Sequence, residues 1–221
     1  MFKLNNDHTP CHVFDTDQLY KNIGILKRIE RETKSTVLYA LKGCSQQIIL
    51  KQITREISGA CTSGYNEVLL AEQMGFKEIH TFSTAYKVNE ISTIAGKSNV
   101  VIFNSIEQYN KYNKIVKSAG AIAGLRINPH YSEIENIRIN PCALNTRFGV
   151  SVDDMKQLDN CPEYLHFHSM CEQFDGTLER TLEKVENLYD CFLTQAKTVN
   201  IGGGQLYTSP DYNVEDRKSV V

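Results

Sequence analysis

Seven short runs of β-branched and apolar residues, separated by stretches of helical spacing, restrict this chain to an α/β fold built on parallel strands. The runs cover 35–41, 57–61, 78–83, 99–104, 121–128, 163–168 and 198–201. Between them, 65–74 places Val68, Leu69, Ala71 and Met74 at helical intervals, and 178–196 places Leu182, Val185, Leu188, Tyr189 and Phe192 on one stripe. A helix between two strands carries the chain back to its starting end, so successive strands pair in parallel. Such alternation admits an open doubly wound sheet or a closed (β/α)₈ TIM-type barrel, and seven units with near-regular early spacing favour the barrel. The eighth strand is expected to be missing. After Gly202-Gly203-Gly204 the chain is polar through Tyr212, and Ser219-Val220-Val221 is too short for a strand with its covering helix. Because an unclosed barrel exposes two sheet edges, the chain reads as the front portion of a longer protein or the product of premature termination.

With 221 residues, 41% of them hydrophobic, there is enough apolar material for one substantial core. The 24 basic and 26 acidic residues are interspersed, which argues against a nucleic-acid surface. No stretch approaches the length of a membrane span, and Met1 to Asp7 lacks the apolar core of a signal peptide, so a cytoplasmic location is expected. Seven cysteines, an odd number without a Cys-x-x-Cys pair, indicate thiols rather than disulfides or structural zinc.

The chemistry-bearing residues fall where the strands would end. Lys42 follows the run Val37-Leu38-Tyr39-Ala40-Leu41 at the mouth of the first strand. An amine there could form a Schiff base with a carbonyl cofactor; the bland alternative is a side chain with its head in water. Gly202, Gly203 and Gly204 directly follow strand seven, where barrel enzymes often bind phosphate, and otherwise form a mobile turn. His166 and His168 alternate along strand six and so share one side of it. They read either as a metal pair lacking a third ligand, or as one imidazole, His168, packed against a cofactor ring with Cys171 in the loop beside it. The long irregular stretch 129–153 leaves strand five on the face where barrel active sites assemble, and Arg147 near its end reads either as a surface arginine or as a partner for a phenolate or carboxylate. Glu67, three residues after Gly64, reads as a helix cap.

Taken together, Tyr39-Ala40-Leu41-Lys42, Thr146-Arg147-Phe148-Gly149, His166-Phe167-His168-Ser169-Met170-Cys171-Glu172 and Asn200-Ile201-Gly202-Gly203-Gly204 resemble the fold type III, alanine racemase-like pyridoxal-phosphate decarboxylases. The branch most similar in these motifs is the carboxynorspermidine/carboxyspermidine decarboxylases, whose extended loop also resembles Gly124-Leu125-Arg126-Ile127-Asn128-Pro129 and Asn140-Pro141-Cys142. The resemblance implies that Lys42 is catalytic and holds pyridoxal 5'-phosphate covalently. It implies that His168 stacks on the pyridine ring, that Gly202, Gly203 and Gly204 bind phosphate, that Arg147 lies near the phenolic oxygen, and that Cys171 replaces a phosphate-binding serine.

In such proteins the barrel is followed by a C-terminal β-domain that supplies the acidic partner of the pyridine nitrogen. The expected organisation is an N-terminal segment 1–14 that would pair with the β-domain, an incomplete barrel 15–214 and a tail 215–221. The implied function is decarboxylation of carboxynorspermidine or carboxyspermidine in polyamine biosynthesis by a cytoplasmic homodimer when full length, with little activity expected of this chain alone. The alternatives are a non-catalytic pyridoxal-phosphate homeostasis barrel, a sibling decarboxylase of diaminopimelate or ornithine, and a metal-dependent hydrolase using His166 and His168.

Overall fold

A computed structural model describes residues 10–213. The predicted tail 215–221, and residues 1–9 of the predicted N-terminal segment, lie outside the described residues. Seven parallel strands form one sheet in sequence order: β1 (Leu38–Ala40), β2 (Gly59–Thr62), β3 (Glu78–Phe82), β4 (Val100–Phe103), β5 (Ile122–Arg126), β6 (Tyr164–His166) and β7 (Thr198–Asn200). The sheet curls into a half-barrel, and among the described residues β1 and β7 are its two edges. All seven expected strands are present, each shorter than its apolar run.

The connections are α1 (Thr16–Thr33) before β1, then α2 (Gln47–Ile53), α3 (Tyr65–Met74), α4 (Ile91–Lys97), α5 (Ile106–Ser118), α6 (Val152–Met155) and α7 (Thr177–Leu193). Local chemistry fixes their starts. Asp15 accepts from the Gln18 amide at 2.9 Å, and Ser105 from that of Gln108 at 3.3 Å. Glu67 in the first turn of α3 accepts from the Ser63 amide at 2.7 Å, the capping role expected of it. None of the described helices is long and apolar enough to cross a membrane.

Apolar side chains pack on both faces of the sheet, although edge strand β7 leaves Val199 exposed. Val101, Phe103, Leu125, Leu165 and Phe167 point outward into a helix-facing core with Ile94, Tyr112, Val185 and Tyr189. A second outer core joins Ile23, Leu41, Leu50, Ile53 and Ile79 near β1 and β2. Side chains of opposite parity fill the concave side, where Val100, Ile102 and Tyr164 pack with Phe82. Gly124 makes room for Tyr164: a Cβ there would stand 2.8 Å from its ring.

The long segment after β5 is tied at both ends. Ile127 bridges to Val150 in parallel, and Asn104 at the end of β4 donates to the Arg147 carbonyl at 2.7 Å while accepting from the Gly149 amide at 3.0 Å. Gly149 holds φ +78° with Ile127 backbone atoms 2.9 Å from where a Cβ would be, so only glycine fits. Farther along, Glu133 accepts from Arg180 Nε at 2.6 Å, Arg180 Nη2 at 2.9 Å and Thr177 Oγ1 at 2.9 Å, fastening the segment to the start of α7.

Candidate active site at the carboxyl ends of the strands

Because all strands run in one direction, their carboxyl ends gather at one rim, and the next residues of each are placed there by topology alone. Lys42 occupies a single 3₁₀ turn, Leu41–Gly43, directly after β1. Fully buried Leu41 anchors that turn in the outer core, while the Lys42 side chain is exposed. His168 stands two residues beyond the end of β6, outside the strand, which is a correction to its expected place within it. His166 remains inside the strand and buried, with Nδ1 at 3.1 Å from the Asn200 carbonyl and 3.2 Å from Asn200 Oδ1. The two histidines therefore have separate environments, and no group of three metal-ligating side chains forms among the described residues.

Electrostatics tie the rim together. Burial, then the positive charges of Arg126 and Lys42, push His168 down to about 4. His166 is driven to about 3 by burial, Arg126 and His168 in that order. Both rings are neutral at pH 7, so His168 offers a flat uncharged face. On β2, burial raises the Cys61 thiol, and the Lys42 charge partly offsets the shift.

The arginine that meets this cluster is Arg126, to which the sequence reading assigns no role. Its guanidinium lies 4.8 Å from the Phe82 ring centroid and 4.5 Å from that of Phe148, and donates from Nη2 to the His168 carbonyl at 3.2 Å. Burial lowers it only to about 10, so it stays charged at neutral pH. Its signal in the sequence is a lone charge sharing a strand face with Gly124 in an otherwise apolar run. Arg147 is exposed, and its fixed point is its own carbonyl, held by Asn104.

The glycine run packs against the loop after β6. Gly202 at φ +72° leaves room for the Phe167 carbonyl, 2.6 Å from its virtual Cβ, and for His168 Nδ1 at 2.9 Å. Gly204 at φ +107° would place a Cβ 2.1 Å from the Met170 carbonyl and 3.0 Å from the Cys171 amide nitrogen. Gly203 faces open space. Its amide points at His168 Nδ1 over 3.4 Å, and the Gly204 amide makes no hydrogen bond among the described residues. Cys171 is exposed, its carbonyl accepting from Gln173 Nε2 at 3.0 Å.

A phosphorylated pyridine aldehyde fits this chemistry. An amine, a flat neutral imidazole, a buried cation and a side-chain-free loop with available amides share one rim. Two buried polar atoms without a protein partner, Ser169 Oγ and Gln205 Nε2, belong to the loops after β6 and β7.

No protein-family model matches the chain. It is 35% identical over 208 residues to a carboxynorspermidine/carboxyspermidine decarboxylase of Campylobacter jejuni, covering 94% of this chain and 54% of that protein. A carboxyaminopropylagmatine decarboxylase of Synechocystis is 30% identical over 222 residues, covering 99% of this chain and 57% of that one. In three dimensions it superposes with a TM-score of 0.86 and 32% identity on carboxynorspermidine decarboxylase of Campylobacter jejuni complexed with norspermidine, covering 96% of this chain and 55% of the other. Diaminopimelate decarboxylase of Helicobacter pylori shares the fold at a TM-score of 0.75 and 20% identity. The chain spans about half the length of the curated relatives it matches. Along nearly its whole extent it is thus homologous to the carboxynorspermidine/carboxyspermidine decarboxylases, with the curled α/β barrel of fold type III decarboxylases.

Proposed function

We propose that this chain is the cofactor-binding barrel portion of a pyridoxal-phosphate-dependent decarboxylase acting on carboxynorspermidine or carboxyspermidine in polyamine biosynthesis. The observation that carries the reading is the meeting of Lys42, His168, Arg126 and the glycine loop at one rim, in a chain 35% identical to an enzyme of that name. Norspermidine, present in the related Campylobacter jejuni structure, is the product such a reaction would release.

Pyridoxal phosphate, when bound, supplies an aldehyde that condenses with amines and a pyridine ring that accepts the electron pair left by departing carbon dioxide. Lys42 would be the protein's amine for that aldehyde, carried on a short exposed turn at the rim. His168 supplies an uncharged stacking face. Arg126, fixed between Phe82 and Phe148, would offer its positive charge to the cofactor's phenolate oxygen, a role the sequence reading gives to Arg147. Amides of the glycine loop, with Cys171 nearby, would receive the phosphate. The reading includes a cytoplasmic homodimer for the full-length protein, which a native-mass measurement on the protein from its own cells tests.

The deciding experiment reduces the protein from its own cells with borohydride and maps the adduct. A pyridoxyl group on Lys42 supports the reading, and an unmodified Lys42 overturns it. Turnover of carboxynorspermidine, carboxyspermidine and carboxyaminopropylagmatine by the same preparation then identifies the substrate.

A further inference from the structure

A file of polar side chains crosses the concave side of the barrel and ends on the glycine loop. Glu78 Oε1 lies 2.8 Å from His80 Nε2, and His80 Nδ1 lies 2.8 Å from the Tyr164 hydroxyl. Asn200 Nδ2 donates to that hydroxyl at 2.9 Å, and the Gly202 amide donates to Asn200 Oδ1 at 2.9 Å. His80 and Tyr164 are buried at 6% and 2% exposure, so these groups have little water to turn to.

Counting protons gives the file a single direction. A carboxylate only accepts, so Nε2 of neutral His80 carries the hydrogen and Nδ1 is the acceptor. Tyr164 therefore spends its one hydrogen on His80, leaving its oxygen to accept from Asn200. The Asn200 amide cannot flip, because its oxygen faces two donors, the Gly202 amide and His166 Nδ1. Every donor points from the loop toward Glu78.

We propose that Asn200, oriented from inside the barrel by Tyr164, His80 and Glu78, is the positioning residue of the glycine loop, and that Gly202 is its pivot rather than a phosphate donor. The Gly202 amide is committed to Asn200, and its missing Cβ serves close packing on Phe167 and His168. Phosphate is then received by the Gly203 and Gly204 amides, one weakly engaged and the other free among the described residues. The inference rests on the cofactor reading above.

Its test is equilibrium binding of pyridoxal phosphate and of pyridoxal, which lacks the phosphate, to the wild type, Asn200→Ala, Asn200→Ser and Tyr164→Phe. Asn200→Ala is expected to weaken pyridoxal phosphate by about 10-fold and pyridoxal by less than about 3-fold. Asn200→Ser, whose hydroxyl can accept from the amide two residues on, restores part of the difference. Tyr164→Phe, which keeps the ring and the packing, lowers the preference for the phosphorylated compound by about 3-fold and stands in should the Asn200 variants not fold. Equal losses for both compounds, or an unchanged ratio in all variants, overturn the positioning role while leaving the cofactor reading intact. A wild type that binds neither compound overturns the cofactor reading, and the inference falls with it.

Discussion

Arg126 donates a hydrogen bond from Nη2 to the carbonyl oxygen of His168, 3.2 Å away on the neighbouring chain segment, so one buried cation fixes the backbone that carries the imidazole and depresses the imidazole's own proton affinity. Arg126→Met should separate these effects. Loss of the charge raises the His168 pKa from about 4, yet leaves it below 6.5, because burial is the larger cause. Loss of the donor orphans a carbonyl and costs about 1–3 kcal/mol. Arg126→Lys keeps the charge but forfeits the planar stack on Phe82 and Phe148, so it leaves His168 low while weakening pyridoxal phosphate about tenfold. Histidine titration by NMR with cofactor binding reads both, and a His168 pKa unmoved in Arg126→Met counts against the coupling.

The sheet was legible in the sequence because the outward positions of its strands are mostly apolar, and in β4 both sides are: Val100–Phe103 is buried at all four positions, and such a run cannot be hidden by a change of face. Strand ends were less so. His168 follows the same alternation as His166, yet pairing with β7 ends at His166, because beyond it the chain must turn around the glycine loop. Lys42 and Gly202 to Gly204 directly follow β1 and β7, as the apolar runs before them indicate. That Arg126 is buried and Arg147 exposed was not legible, since it depends on how Asn104 pins the long loop, a contact across 43 residues. The role of Asn200 was equally hidden, because it depends on a tyrosine and a histidine from two other strands.

Stability should fall as pH drops from neutrality. His166 and His168 are held below their ordinary 6.5, at about 3 and about 4, so the unfolded chain binds more protons across this window. Their stabilisation is complete above pH 6.5 and is lost as pH falls toward those lower values. For largely buried His168 the loss is on the order of 3 kcal/mol. Urea unfolding at pH 7, 5.5 and 4.5 should show falling midpoints, with a shallower fall in His168→Gln. A flat profile would falsify the assignment of both imidazoles as buried and neutral.

Adjacent glycines should respond oppositely to alanine. At Gly204 the Cβ would lie 2.1 Å from the Met170 carbonyl at φ +107°, so Gly204→Ala costs about 2 kcal/mol or more and displaces the loop after β6. At Gly203 nothing lies within 4 Å and the backbone is not left-handed, so Gly203→Ala should melt within a degree or two of wild type while binding pyridoxal phosphate less well. Thermal melts with cofactor titration check the pair; equal melting losses would mean the loop is packed otherwise.

The Glu133–Arg180 pair should hold the long loop without contributing much to global stability. Glu133 is pulled down to about 2, chiefly by its hydrogen bonds from Arg180, so the latch persists over the whole neutral range and opens only in strong acid. Arg180 is 52% exposed, and solvent screening limits the pair to about 1 kcal/mol or less. Its effect is local, because Glu133 also gathers Thr177 at the start of α7 and Tyr131 within the loop. In Arg180→Gln the unfolding midpoint should move little, while protease cleavage between residues 135 and 147 accelerates, because exposed Ile137, Ile139 and Leu144 then lie on a segment left to its anchors at Asn104, Ser132 and buried Cys142. Cleavage at the wild-type rate would mean that those remaining anchors alone order the loop, and that Glu133 serves α7 instead.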